Sequence, residues 1–303
     1  MSQIRRVSRF SRCAIAVFFA SALAATVARA QGPQLSISPA QPGPGSIVRL
    51  SLSGVNGSDG LVIDGAMAGE PLHFRRNASG TWHSLGGIPV DATGEIVARA
   101  FVEREPGVID TVLASITIPR PKPVTGKPRP LAVSPRFTRP LDAATQARID
   151  RENALAREVG RRAHDSPPMW NEPFVRPRAS TVTSRFGTGR QFNGVVTSRH
   201  LGVDFRGATG QPIRAANRGV VALVDEFFLA GNVVYIDHGG GVVTGYFHMT
   251  KPLVAAGDTV ERGQEIGLVG ATGRVTGPHL HWSARYGEVT VNPLDLISIP
   301  RGW

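Results

Sequence analysis

The chain has 303 residues, enough for two ordinary domains with a core each. Its 34 Lys and Arg against 23 Asp and Glu give a formal charge of +11, and 35 Gly with 23 Pro are too many for a helical bundle yet too few for a wholly disordered chain. A single cysteine excludes a disulfide framework and any Cys-rich zinc finger.

The first 30 positions carry Arg5, Arg6, Arg9, Arg12 and Arg29 and no acid. Residues 13–27 are continuously small or apolar, and Ala28-Arg29-Ala30 reads as an A-x-A cleavage site. A basic start, a short apolar core and a small-residue exit predict a secretory signal peptide over 1–30, cleaved after about Ala30. The apolar run falls short of the roughly 20 residues that span a bilayer, so no membrane anchor is expected after cleavage. Arg5-Arg6 only loosely resembles a twin-arginine signal, and Cys13 begins the apolar core, which argues against a lipoprotein anchor. The expected destination is periplasmic or secreted. Loss of the segment leaves 29 basic against 23 acidic residues and no cysteine.

Residues 34–119 alternate apolar and polar side chains in short runs broken by Gly, Pro and Asn. The stretches 47–52, 96–102 and 112–118 read as strands. Short strands separated by turn signals predict an antiparallel β-sandwich of immunoglobulin-like type, with Trp82 in its core. His73 and His83 match no metal-site spacing and are expected to be surface or turn histidines.

Residues 120–178 hold ten of the 23 prolines and 13 basic against six acidic residues. The run from Pro121 to Pro130 should be extended and solvated. Asp142 can cap a helix running to about Ala163, with Leu155, Val159 and Ala163 on one stripe, before Ser166-Pro167-Pro168 stops it. This region is expected to be a linker with one helix. It also carries most of the remaining charge: the sandwich has five basic and eight acidic residues, and residues 179–303 have 11 and nine. The excess therefore lies in a linker without interleaved aromatics, which argues against nucleic-acid binding.

Residues 179–303 read as strands and turns, including 219–224, 232–236 and 242–247, and hold five of the eight histidines. His200 and Asp204 would stand about 13 Å apart on an extended strand, and Gly202 could supply the bend that brings them together. His279 and His281 share one face of a strand, so both can reach one site, one as ligand and the other beside it. His248 follows a strand. A zinc catalyst needs about three protein ligands, an open position for water and groups that handle a proton. Two His, one Asp and two spare His meet that requirement, and the absence of His-Glu-x-x-His excludes the helical zinc-protease design.

His200-x-Gly202-x-Asp204, Tyr246-x-His248-Met249 and Thr276-Gly277-Pro278-His279-Leu280-His281 resemble the signatures of the lysostaphin/LytM-type peptidoglycan endopeptidases. Ser184-Arg185-Phe186-Gly187, the stretch 231–239, Gly257-Asp258-Thr259-Val260, the stretch 263–267 and Asn292-Pro293-Leu294 resemble the same family, so the likeness covers about 179–298 densely. An immunoglobulin-like domain ahead of the peptidase is also similar to envelope members of that family. The resemblance implies one Zn2+ per chain held by His200, Asp204 and His281. His248 and His279 would be the catalytic pair that activates water and stabilises the oxyanion, and His238 would be structural. Two departures stand out: Trp282 is followed by Ser283 rather than an acid, and no tyrosine precedes Tyr235.

The expected molecule is mainly β. An N-terminal antiparallel sandwich (34–119) and a Pro/Arg-rich linker (120–178, helix about 142–163) precede a C-terminal antiparallel zinc peptidase domain (179–303). It would hydrolyse peptide cross-links of peptidoglycan, with an envelope protein as a candidate regulator. The alternative is a non-catalytic wall-binding activator of other hydrolases.

Overall fold

The computed structural model describes residues 32–55, 61–105, 107–120, 130–194 and 196–301. The signal-peptide reading and most of the Pro121–Pro130 stretch lie outside the described residues. No helix among the described residues is long and apolar enough to cross a membrane.

Two four-stranded antiparallel sheets form the N-terminal part. One runs in the order Gln34–Ser38, Ile47–Ser53, Trp82–Gly87, Arg75–Arg76, and the other Glu70–Pro71, Ile63–Met67, Gly94–Glu105, Val108–Ile118. Alternation does the work: Val48, Leu50 and Leu52 of one sheet and Ala98, Ala100 and Val102 of the other are fully buried against each other, and Trp82 packs at the margin of this core.

Ten strands form the larger sheet. Its path is Val182–Ser184, Val203–Arg206, His279–Tyr286, Val242–Pro252, Gly231–Asp237, Gly219–Phe227, Thr259–Val260. The three strands read from sequence in this segment are all present, each slightly longer than expected. The central strands are buried on both faces, as the pattern BiBBBBi of Gly231–Asp237 shows, so they read as continuous apolar runs rather than alternating ones.

Asp142 does cap the helix, accepting from the Thr145 N–H, and Ala143–Arg162 is helical. Of the expected stripe, Ala163 is fully buried and Val159 packs against the same cluster. Leu155 is exposed, while Ile149, Glu152, Ala156 and Gly160 are buried. The helix docks closely enough that the Gly287 carbonyl lies where a Cβ on Gly160 would be, and the Glu152 carboxylate accepts the Phe228 N–H at 2.8 Å. Small and polar residues, not the longest apolar one, set the contact.

The sandwich and the peptidase segment share a core. Ile47 and Leu85 belong to the same buried cluster as Trp170, Phe174, Tyr286 and Leu296. The Tyr286 hydroxyl donates to the Pro71 carbonyl at 2.7 Å, and the Ile47 N–H donates to Asp295 at 2.9 Å. His73 and His83 are not surface or turn histidines. His73 Nε2 lies 2.7 Å from His164 Nδ1, whose Nε2 meets Glu70 at 2.9 Å, and His83 contacts Ser51 and Asn77. Both are half-buried structural groups, remote in role from any metal cluster.

Candidate metal centre

Cross-strand register brings the first two constellations together. Asp204 on Val203–Arg206 stands directly opposite His281 on His279–Tyr286, and His281 in turn stands opposite Phe247. His200, just before its strand, folds back so that its Nε2 reaches 3.0 Å from Asp204 Oδ1 and 2.9 Å from His281 Nδ1, while His281 Nδ1 and Asp204 Oδ1 are 2.9 Å apart. All three residues are buried. They are the one group of His, Cys, Asp or Glu among the described residues whose ligand atoms converge as a metal site requires.

The donor set fits a metal ion. His200 Nδ1 lies 2.9 Å from the Arg185 carbonyl, which can only accept, so that nitrogen carries the proton and Nε2 presents its lone pair. Two imidazole nitrogens and one carboxylate oxygen then face one another, an arrangement that a divalent cation relieves. A tetrahedral ion with bonds near 2.0–2.1 Å would have donor–donor edges of about 3.3 Å, a few tenths wider than the present triangle. Nitrogen and carboxylate donors in a small, closed triangle suit zinc.

Gly202 stands at the expected bend, between His200 and the strand that carries Asp204. Its backbone is not left-handed, so the bend does not by itself demand glycine. A Cβ there would instead lie 2.5 Å from His281 Nε2 and 2.6 Å from the Trp282 carbonyl. Glycine is required because the ligand ring packs on its backbone.

His248 reaches the centre through a bulge. Met249 pairs with Asn232 and Tyr246 with Val234, so two residues on one strand oppose only Val233 on the other. His248 occupies that bulge with φ of 63°, a left-handed conformation histidine tolerates better than most residues. Its Nδ1 lies 2.8 Å from the Thr272 carbonyl, and His279 Nδ1 lies 2.8 Å from the Gly277 carbonyl. Both rings therefore protonate Nδ1 and leave Nε2 free. The two rings approach to 4.9 Å between centroids, and His279 Nε2 lies 3.7 Å from Asp204 Oδ1. All five expected residues meet in one place.

Electrostatics favour the ligand-ready forms. Burial pushes the Asp204 carboxyl up, but its contacts with His200 and His281 outweigh burial and hold it well below the usual carboxylate range. Burial lowers His281 to about 4, with Asp204 opposing. Burial, reinforced by the neighbouring His279 and His281, also holds His248 well below its ordinary value, so it is neutral near pH 7. His238 is fully buried outside this centre, between the Arg218 carbonyl at 2.7 Å and the Thr244 hydroxyl at 2.8 Å, and burial lowers it to about 4.

Sequence patterns missed the arginines. Arg190 pairs with Asp204 and also donates to Ser184 Oγ at 3.2 Å, which places a guanidinium on the far oxygen of the ligand carboxylate. Arg190, Arg206 and Arg274 line a groove of about 520 Å3 that also exposes Asp204 and His279. No periodic or motif signal marks these arginines, because their meeting depends on strands distant in sequence. Trp282 is fully buried in the core, so the departure beside the paired histidines concerns packing.

The antiparallel sheet and the converging His200, Asp204 and His281 define a candidate metal centre on a β-sheet scaffold. Residues 198–293 match the profile of peptidase family M23. The peptidoglycan DD-endopeptidase ShyA of Vibrio cholerae is 49% identical over 130 residues, covering 43% of this chain and 28% of that protein. The DD-carboxypeptidase/endopeptidase Mpg of Neisseria meningitidis is 42% identical over 140 residues, covering 46% of this chain and 31% of that protein. The chain thus spans about a third or less of the length of these curated relatives. A crystal structure of an M23 peptidase from Pseudomonas aeruginosa matches with a TM-score of 0.64 at 27% identity, covering 85% of this chain and 95% of that one.

Proposed function

We propose that this protein is an exported zinc endopeptidase that hydrolyses peptide cross-links of bacterial peptidoglycan. The observation that carries this reading is the convergence of His200 Nε2, Asp204 Oδ1 and His281 Nδ1, with His279 lining the groove beside them and the His248 ring centroid 4.9 Å from that of His279. The relatives named as peptidoglycan endopeptidases support the substrate, and the matched family supports the reaction.

His200, Asp204 and His281 are assigned as ligands of one zinc ion, which when bound supplies Lewis-acid polarisation and a water of lowered pKa. His248 and His279 each present an unprotonated Nε2, anchored by a carbonyl behind Nδ1. One can accept the proton of the attacking water, and as an imidazolium it can return it to the leaving amine. The other can stabilise the charge that develops on the carbonyl oxygen only as an imidazolium, with its Nε2 protonated and donating. The bulge at His248 fixes its ring before substrate arrives, so orientation is not purchased during the reaction.

Residues 1–30 are assigned as a cleaved signal peptide and the mature protein to the periplasm or exterior. The N-terminal sandwich is assigned to the immunoglobulin-like class, on the strength of two facing four-stranded sheets, one holding Gln34–Ser38, Ile47–Ser53, Trp82–Gly87 and Arg75–Arg76 and the other Glu70–Pro71, Ile63–Met67, Gly94–Glu105 and Val108–Ile118. Metal analysis of the purified protein together with digestion of isolated wall sacculi tests the function. About one zinc per chain and release of soluble muropeptides are expected. Metal-free protein, or sacculi that remain intact with zinc-loaded protein, would overturn the proposal.

A further inference from the structure

A charged side chain withdrawn from water is costly unless it is paired. A half-buried cation without an acid beside it therefore marks a place where the counter-charge comes from outside the protein. Arg274 is such a group. Its N–H donates to the Leu229 carbonyl at 2.8 Å, and its guanidinium lies over the Phe192 ring, with Cζ 4.2 Å from the centroid. Neither an ion pair nor a hydrogen bond of that guanidinium is present among the described residues. Burial lowers its pKa and the charge of nearby Arg190 lowers it further, so two like charges stand close together.

The groove offers no internal answer to this charge. Asp204 is the sole carboxylate among its lining side chains, and that group is already engaged by Arg190, His200 and His281. The aromatic ring beneath Arg274 holds the guanidinium in place without neutralising it. A planar, pre-oriented guanidinium in a substrate groove suits a carboxylate, to which it can donate two parallel bonds.

The chemistry of a cross-link says which carboxylate this could be. The acyl side of the scissile amide has spent its carboxyl group in that amide. When the acyl residue is monocarboxylic, a free carboxylate next to the bond sits on the amine side, as it does when a dicarboxylic diamino acid supplies the amine. A bridge built from glycine has none.

Resting on the endopeptidase reading above, we propose that Arg274 is a specificity-determining residue that binds the free carboxylate of the amine-side residue and directs this site to cross-links built on a dicarboxylic diamino acid rather than on glycine.

The test uses two cross-linked muropeptide dimers that differ in one group: the carboxylate beside the scissile amide is free in one and amidated in the other. The full-length zinc-loaded protein is expected to prefer the free carboxylate by roughly ten- to a hundredfold in kcat/KM, chiefly through KM. Arg274→Gln is expected to treat both dimers alike with its zinc content unchanged, and Arg274→Lys to keep part of the preference. Equal cleavage of both dimers by the unaltered protein would overturn the proposal while leaving the endopeptidase reading standing, even if Arg274→Gln failed to fold. An equal loss on both dimers in Arg274→Gln would overturn it as well. Cleavage of neither dimer by zinc-loaded protein would sink the endopeptidase reading itself, and Arg274 with it.

Discussion

At the scale of single residues, the five side chains of the centre divide by which nitrogen or oxygen is left free. His200 is fixed by the Arg185 carbonyl, His248 by the Thr272 carbonyl and His279 by the Gly277 carbonyl, and each thereby exposes Nε2. His281 differs, presenting Nδ1 to Asp204 and His200. The free nitrogen alone does not separate proposed ligand from proposed proton carrier; distance does, since His200 Nε2 and His281 Nδ1 lie 3.0 and 2.9 Å from Asp204 Oδ1 while His279 Nε2 lies 3.7 Å from it. Asp204→Ala is expected to lose the metal and all activity, since it removes the one anionic donor of the triangle. His248→Ala should keep about one zinc per chain and lose roughly 10²–10⁴-fold in kcat, the usual contribution of a positioned acid–base group. Zinc content and turnover measured on the same preparations decide this, and the reverse pattern would show that ligand and proton carrier have been exchanged.

At the scale of elements, strand register and one bulge do what no single residue could. The antiparallel pairing of Asp204 with His281 is set by the apolar residues on the opposite face, such as Leu280 and Phe205, both fully buried. Gly202 lets the His281 ring lie against the backbone, so Gly202→Ala should push the ring away. At least a tenfold weaker zinc affinity and a loss of about 1–3 kcal/mol in stability are expected, as for other overpacked sites. A zinc titration and melting curve indistinguishable from those of the unaltered protein would contradict this. His238, on the turn after Gly231–Asp237, gives a pH test independent of the metal centre. Its folded pKa is depressed to about 4 by burial, below the unfolded value of 6.5, so the unfolded chain binds more protons between those values. Stability contributed by neutral His238 is therefore present above about pH 6.5 and is lost as pH falls toward 4, by up to about 3 kcal/mol. His238→Gln should flatten that slope in denaturant titrations at pH 7 and pH 5, whatever it does to stability at pH 7. An unchanged slope would exclude His238 as its source.

Much of this was legible in the sequence, and the limits have physical causes. Strand alternation revealed the sandwich, since each strand there buries one face. The His279–His281 pair was readable because a period of two places both rings on one side. Spacing alone could not show that Gly202 serves close packing as well as the bend, nor that the helix buries Ile149 and Ala156 and exposes Leu155. Both depend on what lies opposite. The bulge under His248 and the meeting of Arg190 with Asp204 were hidden for the same reason: each depends on how one strand or turn registers against another, which spacing along the chain does not encode.

At the scale of the whole molecule, residues 32–301 behave as one unit in their described parts, because Ile47 and Leu85 of the sandwich enter the core that also buries Trp170, Phe174 and Leu296. A core shared across both segments couples their unfolding. One calorimetric transition is expected for the zinc-loaded protein, and Leu85→Ala should lower it as a whole by about 2–4 kcal/mol in stability. Two separated transitions would mean that the segments unfold independently. The high positive charge of the chain does not gather in the catalytic groove as a broad basic surface. It is divided among the first 30 residues, the proline-rich stretch and three arginines, of which Arg190 is matched by Asp204. The measurement that bears most directly on the function compares zinc-loaded protein with His248→Ala of equal zinc content on purified sacculi, with products identified by mass spectrometry. Soluble muropeptides with hydrolysed peptide cross-links should appear with the unaltered protein and be nearly absent with the variant. Equal product from both proteins, or products cut at glycosidic rather than peptide bonds, would contradict a metal-dependent cross-link endopeptidase.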